Sequence, residues 1–141
     1  MTYLTRRYPF SASHRLHTER LTAEENARVF GKCNNPFGHG HNYCLEVTVR
    51  GGIDLRTGLV ISVPGLDEYV ERKVLSRVDR CDLNRDLPEF AAVVPTTENL
   101  GLQIGRWLQE DWSQVAGSGR VFRIRLEETG SNTIEIKFHE N

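Results

Sequence analysis

The chain has 141 residues, 38% of them hydrophobic and 26% charged, with a formal net charge of −1 at neutral pH. That length suits one domain, spanning 1–141, whose core removes roughly two thirds of the unfolded chain's surface from water. The balanced charge argues against a generally basic surface for nucleic acid or anionic lipid, and no apolar run reaches the roughly 18 residues of a membrane span. The opening MTYLTRRYPFSASHRL lacks the apolar segment of a secretory leader. Three cysteines, an odd number, read as reduced thiols rather than a disulfide framework. The expectation is a cytoplasmic domain.

In chain order, YPFSASHRL alternates so that Tyr8, Phe10, Ala12 and His14 share one face of a strand. LTAEENARVFG sets Thr22 and Glu25 at capping-box spacing and stops at Gly31, which predicts a short helix. The loop GKCNNPFGHGHNY follows. It leads into HNYCLEVTVRG, where Tyr43, Leu45, Val47 and Val49 form one face and Cys44, Glu46, Thr48 and Arg50 the other. After the turn residues GGIDLRTG, LVISV reads as a short apolar strand. PGLDEYVERKVLSRVD places Leu66, Tyr69, Val70, Val74 and Val78 at helical spacing, with Pro64 near the start. TTENLGLQIGRWLQEDW repeats the pattern with Leu100, Ile104, Trp107, Leu108 and Trp112 behind a cap at Thr96 or Thr97. VFRIRLEE, TGSN and TIEIKFHE read as a closing hairpin. Two strands, a helix pair and two more strands predict an α+β fold, a four-stranded antiparallel sheet with two helices on one face. The open edges of so small a sheet are a reason to assemble with other subunits.

Three imidazoles stand at the rims of these inward stripes. His39 and His41 are two apart, so both continue the face of Tyr43, Leu45 and Val47 if the strand begins early enough, and His14 continues the face of Tyr8, Phe10 and Ala12. Three neutral nitrogen ligands with a fourth position open are the pattern of a catalytic zinc. Iron or another divalent metal could use the same set, and each histidine taken singly could be a hydrogen-bonded structural residue. His17 and His139 sit in polar surroundings and read as solvated.

Glu128 ends the stripe of Phe122, Ile124 and Leu126, where a carboxylate needs a partner. That partner is either an internal Arg or Lys, or a ligand with paired N–H groups such as the 2-amino-pyrimidinone edge of a pterin or guanine. Glu98 at a helix start complements the dipole. Cys33 is either a buried filler or, in a Gly/Asn loop near the metal pair, a thiolate acting as nucleophile or base. Cys44 and Cys81 have no comparable company.

The fragments FSASH, FGKCNNPFGHGHNY, PTTEN and ETGSNTIEI, in this order and spacing, resemble the 6-pyruvoyl-tetrahydropterin synthase / 6-carboxy-tetrahydropterin synthase family over nearly the whole chain. The resemblance implies the tunnelling fold, in which trimers close their sheets into a barrel and two trimers stack into a homohexamer with active sites between subunits. It makes His14, His39 and His41 the ligands of a zinc cofactor (Zn2+), Cys33 the proton-abstracting thiolate assisted by Asp79, and Glu128 the anchor of a small-molecule pterin substrate. Thr97 and Glu98 would line the same pocket. The implied reaction converts 7,8-dihydroneopterin triphosphate to 6-pyruvoyl-tetrahydropterin with release of triphosphate. The five residues between Cys33 and His39 resemble the pyruvoyl branch more than the carboxy branch. The alternatives are a sister lyase acting on the pterin side chain, or a pterin- or zinc-binding protein without turnover. That last alternative rests on VDRCDLN, which keeps Asp79 but puts Arg80 where the family has a histidine. A guanidinium stays charged and cannot pass protons as an imidazole does.

Overall fold

A computed structural model of the chain describes residues 1–115 and 117–138; His139 lies outside them. Strand β1 (Thr2–His14) pairs antiparallel with β2 (His39–Gly51) along its whole length, from Thr2 opposite Gly51 to His14 opposite His39. Helix α1 (Ala23–Phe30) sits in the connection between them. Its capping box is complete: the Thr22 hydroxyl accepts from the Glu25 N–H at 3.1 Å, and the Glu25 carboxylate accepts from the Thr22 N–H at 2.9 Å. Gly31, at φ 57°, ends it.

After β2 the chain turns at residues 52–62 and enters α2 (Val63–Val70), capped by the Ser62 hydroxyl. The helix continues through a π-helical segment (Glu71–Leu75) into α3 (Ser76–Val78). The wider turn keeps both Lys73 and Val74 buried, and the Lys73 ammonium reaches Glu110 at 2.7 Å and Asp111 at 3.0 Å. A two-residue strand, β3 (Cys81–Asp82), and the short α4 (Leu83–Asp86) follow. Thr96 caps α5 (Thr97–Glu110) by accepting from the Asn99 N–H at 3.1 Å, which leaves the Thr97 hydroxyl free for other work. The helix stops short of Trp112, whose indole N–H donates to the Gly119 carbonyl at 3.0 Å from a following 3-10 turn. Strands β4 (Arg120–Thr129) and β5 (Asn132–Lys137) close the chain as the predicted hairpin. Among the described residues no helix is long and apolar enough to cross a membrane.

The sheet order is β3-β1-β2-β4-β5. The four antiparallel strands are those expected. The fifth makes the sheet mixed, because β3 runs parallel to β1 at Ala12 and Ser13. LVISV forms no strand; Ile61 makes an isolated bridge to Gly117, while Val60 and Ile61 are buried in the core. On one face of the sheet, Tyr8, Phe10, Tyr43, Leu45, Val47, Ile124 and Leu126 belong to one buried cluster with Leu66, Val70, Val74, Leu100, Ile104 and Leu108 of the helices. Burial of each such side chain contributes about 1.5–3 kcal/mol, so this alternation decides which face turns inward.

One predicted core position is wrong for a local reason. Thr48 pairs with Arg123 and Val49 with Val121, so the register skips Phe122. The bulge turns Phe122 to the opposite face, edge-on to Tyr3 with ring centroids 5.1 Å apart, while Val121 packs against the core.

Asp67 ties α2 to β1. Its carboxylate accepts two bonds from Arg6, at 3.1 and 2.7 Å, and one from the Tyr8 hydroxyl at 2.6 Å. The Arg6 bonds come first among the causes that hold this carboxyl below its usual range. A carboxyl depressed in the folded state stabilises above its unfolded pKa, about 3.9, and loses that contribution as pH falls through the folded value. Asp67→Asn is therefore expected to lower stability at pH 7 and to make little difference near pH 2. Urea denaturation at both pH values measures this, and an equal deficit at both would assign the effect to packing.

Candidate metal centre

The β1–β2 register builds the site. His14 ends β1 directly opposite His39, the first residue of β2, and His41 lies opposite Ala12. Side chains alternate along strands, so all three imidazoles fall on the core face above Phe10 and Tyr43, whose rings stack 4.9 Å apart. The ring centroids of His14, His39 and His41 are 4.5 to 5.4 Å from one another. The His14 and His41 Nε2 atoms stand 3.1 Å apart. His14 is 1% exposed, and its Nδ1 lies 2.9 Å from the Pro95 carbonyl. A carbonyl only accepts, so Nδ1 carries the proton and the Nε2 lone pair is presented to the centre of the trio.

Cys33 reaches the same point from the 3-10 turn Gly31–Asn34. Its Sγ and one nitrogen from each of His14, His39 and His41 all lie within 4.8 Å of one another. The His39 Nε2 is buried with no hydrogen-bond partner. A buried acceptor left unpaired is costly unless something binds it. Burial pushes His14 and His41 below the usual imidazole range, toward the neutral form a metal needs. Three imidazoles with a thiol beside them suit zinc or another borderline divalent ion. The residues present fit a metal. Burial, then the charge of Glu128, pushes the Cys33 thiol up. A bound cation acts in the opposite direction, toward the thiolate.

Gly38 lets the loop close onto the strand. Its φ is 71°, and a Cβ there would lie 2.9 Å from the His14 carbonyl oxygen. A side chain there would force the loop or the end of β1 to shift, next to His14 and His39.

Glu128 is 9% exposed at the end of β4. Its partners are the Thr97 hydroxyl, which donates to one oxygen, and His41, 3.5 Å from the other. No Arg or Lys among the described residues pairs with it, so of the two partners expected from the sequence the internal cation is absent. Thr97 is itself buried, and Glu98 beside it is exposed in the first turn of α5.

Asp79 lies elsewhere. Its carboxylate accepts the Ser11 N–H at 3.0 Å, and the Arg80 N–H donates to the Ser11 carbonyl at 2.5 Å, so both sit at the outer edge of β1. Ser11, Ser13 and Asn42, which alternate with the inward residues of β1 and β2, join Arg80 and Cys81 around a cavity of about 510 Å³. The chain thus gathers His14, His39, His41, Cys33, Glu128 and Thr97, and leaves Asp79 and Arg80 at the outer edge of β1, where Arg80 lines a cavity that His41 also borders. His17 is not simply solvated. Its Nδ1 accepts from the Asn34 amide at 3.1 Å, and its Nε2 lies 3.2 Å from Glu19.

The sequence model described as 6-pyruvoyl tetrahydropterin synthase matches residues 3–139. The chain belongs to this family. It is 46% identical over 132 residues to a 6-pyruvoyl tetrahydrobiopterin synthase of Poecilia reticulata, covering 94% of this chain and 87% of that one. It is 44% identical over 134 residues to the Homo sapiens protein of the same name, covering 95% and 90%. The structure of Caenorhabditis elegans 6-pyruvoyl tetrahydropterin synthase superposes with a TM-score of 0.87 at 35% identity, covering 98% of this chain and 96% of that one.

Within this family member, two contributors to the site escaped the sequence reading. The Pro95 carbonyl is a backbone group and leaves no residue signature. Gly38 was legible only as part of GHGH, and its positive φ had no separate signal. Gly38→Ala is expected to lower stability by about 1–3 kcal/mol through backbone strain and to weaken zinc binding at least tenfold, read by denaturation and by competition with a chromogenic chelator. Unchanged zinc affinity would show that the loop can reach His14 by another path.

Proposed function

We propose that the protein converts 7,8-dihydroneopterin triphosphate to 6-pyruvoyl-tetrahydropterin, releasing triphosphate as a carbon–oxygen lyase with zinc on His14, His39 and His41. The observation that carries the substrate class is Glu128: a buried carboxylate beside the imidazole trio, with a hydroxyl and a histidine but, among the described residues, no Arg or Lys for company. Such an acceptor fits the paired N–H edge of a pterin, and the relatives at 44–46% identity are named for making a pterin product.

The bound metal supplies Lewis acidity, which makes side-chain hydroxyls and the neighbouring C–H bonds easier to deprotonate. The chain's own groups do the rest. Glu128, oriented by the Thr97 hydroxyl, accepts the pterin's N–H pair and fixes the ring, with Glu98 at the pocket wall. The Cys33 thiolate, on a turn beside the trio, takes and returns the substrate protons. The net change is an elimination with internal redox tautomerisation, so no external reductant is needed.

Asp79 is bonded at the edge of β1 rather than to its own chain's Cys33. It assists the thiolate of a neighbouring copy in a homohexamer built as a dimer of trimers, in which the sheets close into a barrel and cover their open edges. The protein acts in the cytoplasm.

Arg80 modulates this chemistry. It has φ 63°, the one positive value among the described non-glycine residues, a region that histidine occupies more readily than most side chains. Arg80→His is therefore expected to leave stability unchanged and to raise turnover, because an imidazole can move a proton where a guanidinium cannot.

Zinc-loaded protein incubated with 7,8-dihydroneopterin triphosphate should release triphosphate and give a pyruvoyl product by mass. A carboxy or aldehyde product would reassign the reaction to a sister lyase. No release, in both the natural protein and Arg80→His, would overturn the enzymatic reading.

A further inference from the structure

The turn that carries Cys33 has no buried side chain of its own, so packing does not hold it. It is held by a polar clamp instead. The Leu16 N–H donates to the Cys33 carbonyl at 2.7 Å. The Asn34 side-chain amide donates to the Leu16 carbonyl at 2.8 Å and to His17 Nδ1 at 3.1 Å, using both of its hydrogens. The Arg15 Nε–H donates to the Asn34 carbonyl at 3.2 Å. Arg15 is itself fixed: its N–H donates to Asn84 Oδ1 at 2.7 Å, and its carbonyl accepts from Asn84 Nδ2 at 2.9 Å.

Residues 15–17 directly follow the metal-site residue His14. The clamp therefore joins the thiol-bearing turn to the strand end that presents the first imidazole. Asn34 is its centre, because its side chain is bonded to Leu16 and His17 while its backbone oxygen is bonded to Arg15.

We propose that Asn34 is a positioning residue: it sets the Cys33 thiol against the substrate side of the metal centre without touching substrate or metal. This rests on the functional reading above, in which Cys33 moves the protons. Losing the clamp leaves the histidines in place, since their strands are paired independently, but lets the thiol wander. Proton transfer is sensitive to displacements of about 1 Å, worth up to about 100-fold in rate.

The test compares natural protein, Asn34→Ala and the near-isosteric Asn34→Asp, which lacks the amide donors. Three quantities are read: kcat and KM for triphosphate release, zinc content, and amide hydrogen exchange at Leu16 in the zinc-free protein. Both variants should lose about 10- to 100-fold in kcat with KM within threefold and one zinc per chain retained. Leu16 should exchange at least tenfold faster while Tyr43 and Leu45 stay protected. An unchanged kcat, an unchanged Leu16 exchange rate, or loss of zinc along with activity would each overturn the proposal. Should the natural protein prove inactive, the functional reading fails, and Leu16 exchange alone decides whether Asn34 holds the turn.

Discussion

The pairing of β1 with β2 is the constraint on which the rest of the molecule depends. Thirteen consecutive residue pairs, from Thr2 opposite Gly51 to His14 opposite His39, fix which side chains face the helices. A slip of one residue would put Tyr8 and Phe10 on the opposite face from Tyr43, Leu45 and Val47 and break up the core. It would also disperse the histidines. The core and the metal centre are therefore specified by the same register: apolar burial along the middle of the strands sets the geometry of the imidazoles at their end.

This coupling explains how three imidazoles can converge on so small a volume. His14 is nearly inaccessible, oriented by a carbonyl distant in sequence, and its Nε2 lies 3.1 Å from the His41 Nε2. Pro95 sits just before α5, whose first residue, Thr97, bonds Glu128 of β4. One helix start thus orients both an imidazole of the candidate metal centre and the buried carboxylate beside it. Sheet pairing sets where the groups stand, and α5 sets how they turn.

Much of this was legible because it follows strand period. The inward stripe Tyr8–Phe10–Ala12–His14, the in-phase His39 and His41, and Glu128 at the end of a buried row were all visible as alternation. The alternation failed at Phe122, where a bulge adds a residue that periodicity cannot anticipate. It also missed β3, because two residues carry no period and that strand is defined by backbone bonds to β1. LVISV misled because a short apolar run signals burial without fixing strand pairing: Val60 and Ile61 are buried, yet Ile61 makes no more than an isolated bridge. The contacts that orient the site, through the Pro95 carbonyl and the Asn34 clamp, join residues distant in sequence or use backbone atoms, and neither leaves a local pattern.

Cys33 is the point of decision. Its sulfur and the three histidine nitrogens all lie within 4.8 Å of one another, so the geometry alone would also permit a closed His3Cys site. Three nitrogen ligands leave a position for substrate, whereas four protein ligands make a structural zinc. X-ray absorption at the zinc edge of the loaded protein separates the two. A catalytic centre requires nitrogen and oxygen neighbours at about 2.0–2.1 Å and no sulfur. A sulfur shell at about 2.3 Å would make Cys33 a ligand and contradict its proposed role as the proton-moving thiolate.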